Sequence, residues 1–482
     1  MNFYVNGTMG IGNSGIEHAE FYRARLFKTI GLPFKFVFVD LAPELREAMK
    51  AWHLANDSVA NMWEYFTLGD DYLRHGIARE FKAKKDLVID STKTHRKRET
   101  WTTGGLRIVE HLVKYANTHE KTDVLLVSTA RVEIFSRLDG RRKVEFEYVD
   151  DPHRKFLMRN IHVFGLNGQH LFFPNEVPAR RYFFHQLARV YSGHNVFIID
   201  RGERNEVALY TPKIPDAAVI HVVHADHLGD RNDPAKPLWN NYYEYLLTHL
   251  NKVAKVVVAT DMQREDLLKD FPNQANKFVT IPVGGVRDLN QATVDYDRSR
   301  QTPLKLITAS RLAPEKNVDL IVRAVAKLHD EGTPVTLTIF GAGVQQSKLQ
   351  ESIKTLDAAD YVTLAGQSQH LAVEYPKYDA FISASYSEGF GLTYIEALNA
   401  ALPVISFNAR FGALKLIKDG VNGFLQPFRR DDDQYNIDQL VLGIQRLLAA
   451  DYSQLRRNTR NSVIPYQDHV IAKEWKVLID EL

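Results

Sequence analysis

The chain has 482 residues, too many for one hydrophobic core, and its 45% apolar and 25% charged residues are typical of a globular protein. A net charge of +2 indicates neither a nucleic-acid-binding surface nor an acidic tail, so no nucleic-acid partner is expected, and the absence of cysteine excludes disulfides, zinc thiolates and a thiol nucleophile. The N-terminus lacks the pattern of a signal peptide, and no stretch reaches the roughly 18 apolar residues that span a bilayer. We therefore expect a cytoplasmic protein without a transmembrane segment, with peripheral contact at the inner face of the membrane left open.

The N-terminal segment predicts a strand, a glycine-rich loop, a helix and a second strand. The same succession of short apolar strands and helices returns from about residue 190 to 290. We therefore assign 1–40 and 190–295 to one Rossmann-like domain, to which a C-terminal helix over 466–482 is a candidate addition.

The stretch 41–189 is predicted to be an inserted, mainly β domain. Between about 123 and 173, apolar and polar residues alternate with a period of two, interrupted by Asp139-Gly140 and Asn167-Gly168. Asp-Gly and Asn-Gly are the strongest short hairpin signals, so this pattern predicts an antiparallel meander.

Residues 296–465 alternate β-branched runs, such as LKLITAS (304–310) and AFISAS (380–385), with amphipathic helical patterns. Strands separated by helices of this length form βαβ units and a parallel sheet. The sequence thus predicts an α/β protein in which two Rossmann-like domains face a cleft and the first carries an inserted antiparallel β domain.

Three glycines, Gly10, Gly12 and Gly15, form the pattern GxGxxG between the first strand and the first helix. Glycines let the backbone approach an anionic group, which a helix N-terminus also favours. Three interpretations stay open: a loop that contacts sugar or acceptor, a tight turn without a ligand, or a dinucleotide site in which Asp40 binds the ribose. The last would make the protein an NAD-dependent oxidoreductase.

The loop SRLAPEKN follows the first strand of the C-terminal domain and contains Arg311 and Lys316. It is predicted to lie at the carboxyl edge of a parallel sheet, where open α/β folds bind ligands. Two cations five residues apart can clamp a diphosphate, arginine as a fork and lysine as a point charge. Taken alone, the segment also fits an ordinary surface loop.

A pair of glutamates, Glu388 and Glu396, brackets the start of a helix after the strand AFISAS. They are eight residues apart, about two helical turns. We expect the amides of Gly391 to Thr393 to face a phosphate, Glu396 to accept the ribose hydroxyls and Glu388 to lie near the sugar. Alternatively, an acidic residue near the start of a helix can simply stabilise the helix dipole, but this explains only one of the two glutamates.

Together, the SRLAPEKN loop and the E-x7-E stretch resemble the signature of retaining glycosyltransferase family 4, a class with the GT-B fold. The resemblance implies that Arg311 and Lys316 bind the diphosphate of a nucleotide-sugar, that Glu396 binds its ribose and that Glu388 contacts its sugar. Loops around Gly341 and Gln367 resemble those beside the nucleobase. The residues predicted to bind the nucleotide-sugar are Gly15, Arg311, Lys316, Gly341, Gln367, Glu388, Gly389, Phe390, Gly391, Leu392, Thr393 and Glu396.

A closer resemblance lies in GIGNSGIEHAEFYRARLF, VVHADH and LWNNYYEYL, which are similar to O-GlcNAc transferase subunits of accessory Sec systems for serine-rich adhesins and to related teichoic acid glycosyltransferases. It implies a UDP-GlcNAc or UDP-glucose donor, a serine-rich protein acceptor and a homologous, substrate-recruiting partner subunit. The poly(polyol phosphate) of wall teichoic acid is the alternative acceptor. The intact Arg311, Lys316, Glu388 and Glu396 argue against a catalytically dead partner protein.

Three histidines, His221, His224 and His227, lie at or just after the end of a predicted strand. His221 and His224 are three residues apart on that strand, so they should face opposite sides and cannot easily share a metal ion. By family resemblance, His224 meets the donor sugar from the N-terminal domain. A hydrogen-bonded structural role is the alternative.

The resemblance further implies front-face attack with retention, in which a donor phosphate oxygen takes the acceptor proton. The protein then acts by positioning and charge stabilisation, with His224, Glu388, Arg311 and Lys316 as catalytic residues and neither a metal nor another cofactor.

Two features of the N-terminal domain keep two interpretations each. Asp200 ends the strand NVFIID and is expected either to face the acceptor or to join a surface ion pair. The aromatic helix over 238–250 either borders the acceptor channel or packs into the core.

Overall fold

The computed structural model describes the chain except for residues 12–14, 90–95, 117–124, 152–154, 203, 231–237, 288–294, 296 and 369. The described residues form two parallel sheets, one antiparallel sheet and one two-stranded pair. Among the described helices, none has both the length and the apolar character needed to cross a bilayer.

The strands are numbered along the chain as follows: β1 (Asn2–Asn6), β2 (Phe34–Phe38), β3 (Val59–Asn61), β4 (Lys84–Ile89), β5 (Arg96–Trp101), β6 (Leu106–Ala116), β7 (Leu125–Ser136), β8 (Arg142–Asp151), β9 (Lys155–Leu166), β10 (Gln169–Asn175), β11 (Asn195–Ile199), β12 (Ala217–Val223), β13 (Leu228–Asp230), β14 (Leu238–Trp239), β15 (Lys255–Val258), β16 (Phe278–Thr280), β17 (Leu304–Ala309), β18 (Val335–Phe340), β19 (Val362–Gly366), β20 (Ala380–Ser383), β21 (Val404–Phe407) and β22 (Gly423–Gln426). The α-helices are α1 (Gly15–Thr29), α2 (Leu45–Ala51), α3 (Met62–Leu68), α4 (Asp70–His75), α5 (Glu176–Val190), α6 (Asn205–Tyr210), α7 (Asn241–Thr248), α8 (Asp261–Asp270), α9 (Val318–Asp330), α10 (Gln346–Thr355), α11 (Leu371–Glu374), α12 (Leu392–Asn399), α13 (Gly412–Leu416), α14 (Asp433–Ala449), α15 (Tyr452–Val463) and α16 (Asp468–Asp480).

The first parallel sheet has the strand order β16-β15-β12-β11-β1-β2-β3. Its central strands are buried throughout, as the apolar runs of the sequence require for a sheet covered on both faces. The chain winds outward in both directions from β1 and β11, which pair in parallel. The crevice at the carboxyl ends of these two strands is therefore where this sheet offers a ligand site.

The second parallel sheet has the order β19-β18-β17-β20-β21-β22. From β17 the chain moves through β18 to β19, and it then returns to the other side of β17 with β20. The topological switch point thus lies between β17 and β20. The loops after these two strands are the SRLAPEKN loop and the segment that begins with Glu388, so the two sequence motifs flank one crevice.

The antiparallel sheet is a sequential meander from β4 to β10. Gly140 and Gly168 take φ angles of +70° and +80°, and the two hairpins predicted at these positions are confirmed. The meander starts at Lys84, upstream of the alternation seen in the sequence. Its first strands are rich in charged residues that pair across the sheet, such as Arg98 with Glu110. These charged residues obscure the alternation of apolar and polar residues in this part of the sequence.

Two further contacts concern the domain boundaries, which stay predictions. Strand β3 pairs with β2 and extends the first sheet, although it lies inside the stretch 41–189 assigned to the insertion. Helix α16 packs against α1, where the rings of Trp475 and Phe27 are 5.8 Å apart. We propose that the inserted sheet proper begins with β4 and that α16 belongs with the first sheet.

Candidate functional site

The crevice of the second sheet brings two of the motif residues into direct contact. Lys316 ends a short 3-10 turn after β17, and Glu388 lies in the loop between β20 and α12. The Lys316 ammonium donates to Glu388 Oε1 at 2.5 Å, although the residues are 72 positions apart in the chain. Because both side chains keep partial access to solvent, the pair can open to admit a ligand.

Arg311 is not part of this pair. Its guanidinium donates to Glu315 Oε1 at 2.5 Å, and its side chain is 68% exposed. An exposed ion pair between residues four apart stabilises by less than about 1 kcal/mol. The structure therefore places Arg311 at the rim of the crevice, in a contact that an incoming anion can replace.

Glu396 lies on the second turn of α12 and is reached by solvent, yet protein atoms surround it, as expected in a cleft. The buried Tyr375 hydroxyl donates to its Oε2 at 3.1 Å. Burial raises the pKa of Glu396 to about 7, against the opposing effect of the Tyr375 hydrogen bond. This carboxyl thus sits poised between its two protonation states near neutral pH.

The loops after β17, β18 and β19 are joined to one another by backbone contacts. The Gly341 N–H donates to the Gly366 carbonyl at 2.8 Å. A Cβ on Gly341, whose φ is +140°, would lie 1.9 Å from the Ser310 carbonyl, so this approach requires glycine. The neighbouring Gln367 is exposed, and these loops form the outer wall of the crevice.

The start of α12 meets the N-terminal domain. A Cβ on Gly389 would lie 2.1 Å from the carbonyl oxygen of His224, so a glycine is needed for the two domain faces to approach this closely. Leu392 packs beside Gly15 and Gly284 of the first domain. The predicted residues at the start of α12, such as the half-buried Thr393, and the buried Phe390 just before the helix therefore lie where the two domains meet.

His224 is held by a buried charge network. Its Nε2 lies 2.8 Å from Asp200 Oδ1, and Arg23 donates to both oxygens of Asp200 at 3.1 and 2.5 Å. Burial alone would raise the pKa of Asp200, but the charge of Arg23 and the hydrogen bonds from His224 and Arg23 hold it well below its usual range. Burial and the charge of Asp200 raise the pKa of the neighbouring Glu20. Asp200 therefore fixes the orientation of the His224 ring.

This network settles the two interpretations of Asp200. The carboxylate is buried, so it neither faces an acceptor nor belongs to a surface ion pair. Sequence reasoning did not single out its partner Arg23, which lies 177 residues away. The available signal was a charged residue on the apolar face of α1.

Tyr243 is a second residue that sequence reasoning missed. Its hydroxyl oxygen accepts the backbone N–H groups of His224 at 3.1 Å and Ala225 at 3.0 Å. Helix α7 buries Tyr243 and leaves Tyr242 largely exposed, so the predicted aromatic helix has one face in the core. Tyr243 thus holds the turn at His224 and Ala225, whose backbone lies against Gly389 of the second domain.

The histidines do not form a metal site in this structure. His221 Nε2 lies 3.3 Å from Glu206, whereas His224 bonds Asp200, and the ring of His227 stacks on Phe411. Among the residues that the structure describes, no group of three or more histidine, cysteine or acidic side chains is arranged to bind a metal ion.

The glycine-rich loop is only partly described, because Gly12 lies among residues 12–14. Asp40, the candidate ribose-binding acid of a dinucleotide site, accepts a hydrogen bond from Arg180 at 3.1 Å. The cavity beside Asp40 is lined by residues that follow β2 and β3, by the antiparallel sheet and by the start of α5, and none of the described residues of the glycine-rich loop borders it. The geometry gives the oxidoreductase interpretation no support.

Comparison with known proteins gives a family match in the second domain. Residues 295–463 match the model of the family described as glycosyl transferases group 1. A UDP-N-acetylglucosamine–peptide N-acetylglucosaminyltransferase GtfA subunit from Streptococcus gordonii is 30% identical over 94% of this chain and 92% of its own length. A poly(ribitol-phosphate) alpha-N-acetylglucosaminyltransferase from Staphylococcus aureus (strain COL) is 22% identical over 98% of each chain.

A solved structure matches the whole fold. The pneumococcal O-GlcNAc transferase GtfA in complex with UDP and GlcNAc superimposes with a TM-score of 0.71 at 25% identity, over 100% of this chain and 98% of that chain. The architecture expected from the sequence, GT-B with an inserted antiparallel sheet, is confirmed.

Proposed function

The chain belongs to the family of UDP-N-acetylglucosamine–peptide N-acetylglucosaminyltransferase GtfA subunits and is a glycosyltransferase, and from this premise we propose that it transfers N-acetylglucosamine from UDP-GlcNAc to serine and threonine hydroxyls of a serine-rich surface glycoprotein, with retention. One observation supports the proposal: Lys316 contacts Glu388 in the crevice of the second domain, and the adjacent Gly389 lies against the backbone of His224 in the first domain. UDP-glucose is the alternative donor.

The diphosphate of the donor lies between Lys316 and the first turn of α12. The first amides of a helix have no acceptor within the helix, and its dipole favours an anion there. Lys316 leaves Glu388 for the phosphate, and Arg311 leaves Glu315 at little cost because that pair is exposed. The two cations then hold the charge that develops on the departing UDP.

The ribose and the sugar lie on either side of the diphosphate. Glu396, as a carboxylate, accepts both ribose hydroxyls. Once Lys316 has turned to the phosphate, Glu388 is available to accept a hydroxyl of the sugar. His224, oriented by Asp200 and Tyr243, faces the sugar from the other domain.

The reaction follows from this placement. The acceptor oxygen attacks the anomeric carbon from the face that UDP leaves, the bond from that carbon to the phosphate oxygen breaks, and the acceptor proton passes to a phosphate oxygen. The configuration is retained because attack and departure share one face. The protein's own contribution is orientation and stabilisation of the diphosphate, and it requires no cofactor.

The alternative acceptor is a poly(polyol phosphate), since a relative of this chemistry matches nearly the full chain. The S. gordonii relative is described as a subunit, which supports a partner subunit for this chain as well. Because the proposed donor is a nucleotide sugar, we place the reaction in the cytoplasm.

Mass spectrometry of transfer products tests the proposal. The protein is incubated with UDP-GlcNAc or UDP-glucose, and with a serine-rich peptide and poly(ribitol phosphate) side by side. We expect one or more N-acetylhexosamine additions to the peptide. Transfer to the polymer alone would replace the proposed acceptor, and a hexose addition would replace the proposed donor.

A further inference from the structure

A cavity of about 210 Å³ lies between the carboxyl edge of the first sheet and the inserted antiparallel sheet. Asp40 and Leu41, which follow β2, line one side, and Tyr148 and Met158 of the meander line the other. Glu176, at the start of α5, closes it. The cavity is separate from the crevice that holds Lys316 and Glu388.

The lining of this cavity combines apolar side chains with polar groups, among them the carboxylates of Asp40 and Glu176. The buried Arg180 donates to Asp40 Oδ1 at 3.1 Å and to Glu176 at 3.0 Å, and Arg204 also pairs with Glu176. The Asp40 side chain stays 42% exposed, whereas that of Glu176 is 14% exposed. Asp40 thus presents a carboxylate oxygen to whatever enters.

This chemistry favours a neutral guest that brings hydrogen-bond donors. Backbone N–H groups and the hydroxyls of serine and threonine are such donors. A phosphate group would instead have to compete with Asp40 and Glu176 for Arg180 and Arg204, whose charges these two carboxylates already balance.

The distance between the cavity and His224 can be expressed as a number of residues in an extended peptide. The carboxyl ends of β12, β11, β1 and β2 follow one another along the sheet edge, with His224 after β12 and Asp40 after β2. Three strand spacings of about 4.8 Å give about 14 Å. An extended peptide advances about 3.3–3.6 Å per residue, so this distance corresponds to about four residues.

We propose that this cavity is an acceptor subsite, which takes a neutral side chain of an extended peptide about four residues from the hydroxyl that receives the sugar. The proposal rests on the proposed function, transfer to a peptide. It assigns the seam between the first sheet and the inserted sheet a role in selecting peptide over polyanionic acceptors.

A series of peptides tests the length. Each contains one acceptor serine, with two to seven residues on one side and two on the other, and the series is repeated for the opposite side. We expect kcat/KM with UDP-GlcNAc to rise about tenfold when one of the two arms reaches four to five residues, the lower end of what an apolar pocket contributes. A smooth or absent dependence on length for both arms would overturn the subsite alone. Failure to glycosylate any peptide would overturn the proposed acceptor and the subsite together.

Two variants tie the effect to the cavity. Leu41→Trp fills it and should abolish the rise, whereas the same substitution at the exposed Leu138 of the β7–β8 hairpin should leave the rise intact. Asp40→Asn keeps the shape and the acceptor for Arg180. It should reduce the discrimination against a peptide with glutamate at the fourth position by at least threefold. Unchanged discrimination in Asp40→Asn, or an unchanged length dependence in Leu41→Trp, would contradict the proposal.

Discussion

The affinity for UDP-GlcNAc should depend on pH through Glu396. Burial raises the pKa of this carboxyl to about 7, so the proton is bound at pH 6 and largely released at pH 8. The ribose hydroxyls are donors, and the carboxylate accepts from them more strongly than the protonated acid, one of whose oxygens carries a proton. Donor binding must therefore expel the proton, and affinity should increase as the pH rises and level off above the pKa.

The magnitude follows from the ionised fraction of Glu396. With a pKa of about 7, that fraction is about one in eleven at pH 6 and about ten in eleven at pH 8, so the Kd should fall about tenfold between them. UDP-GlcNAc suits the measurement better than UDP, because its diphosphate is esterified at both ends and does not titrate in this range. Calorimetric titration in buffers of different ionisation heat also reports proton release at pH 6.

A matched variant isolates the group. Glu396→Gln keeps the shape of the side chain but does not titrate. The Kd of this variant for UDP-GlcNAc should be higher than that of the wild-type protein at pH 8, and it should not change between pH 6 and pH 8. A flat profile in the wild-type protein would refute the reasoning. So would an affinity that increases as the pH falls, because the sign requires the carboxylate to be the binding form.

Three further predictions concern the cleft. Lys316→Ala should weaken UDP-GlcNAc binding in calorimetry by about 10-fold or more, the range of a lost charge-assisted hydrogen bond, and Arg311→Ala should weaken it less because that residue lies at the rim. Asp200→Asn should lower kcat with little change in the KM for UDP-GlcNAc, and a higher KM at unchanged kcat would contradict a role in orienting the histidine. The same substitution should reduce the free energy of unfolding by about 3–5 kcal/mol, because Arg23 loses its buried charged partner. Gly389→Ala should reduce turnover at an unchanged melting temperature, since its methyl group would meet the opposing domain, and full activity would show that the domains need not approach there.

Much of the fold was predictable because its signals are local. Apolar runs separated by helical patterns predicted the second parallel sheet, and the Asp-Gly and Asn-Gly turns predicted the hairpins. The juxtaposition of Lys316 with Glu388 was predictable in outline, since loops after neighbouring parallel strands meet at one edge of a sheet.

The features that the sequence did not predict depend on contacts with residues far away in the chain or on competing contacts within the same loop. The burial of Asp200 at the end of its strand was not predictable, because its partner Arg23 lies on a helix far away in the chain. The contact of Arg311 with Glu315 arises inside the same loop, where a nearby carboxylate competes with the crevice. Strand β3 is only three residues long, too short for a period to appear in the sequence.

The central claim is that residues of the second domain converge on one nucleotide-sugar. Calorimetric titration of UDP-GlcNAc into the wild-type protein and into a Lys316→Ala, Glu396→Gln double variant tests it most directly. We expect one site per wild-type chain, no measurable heat of binding in the double variant at an unchanged melting temperature, and no response of either protein to NAD. Equal affinity in the two proteins would contradict the account.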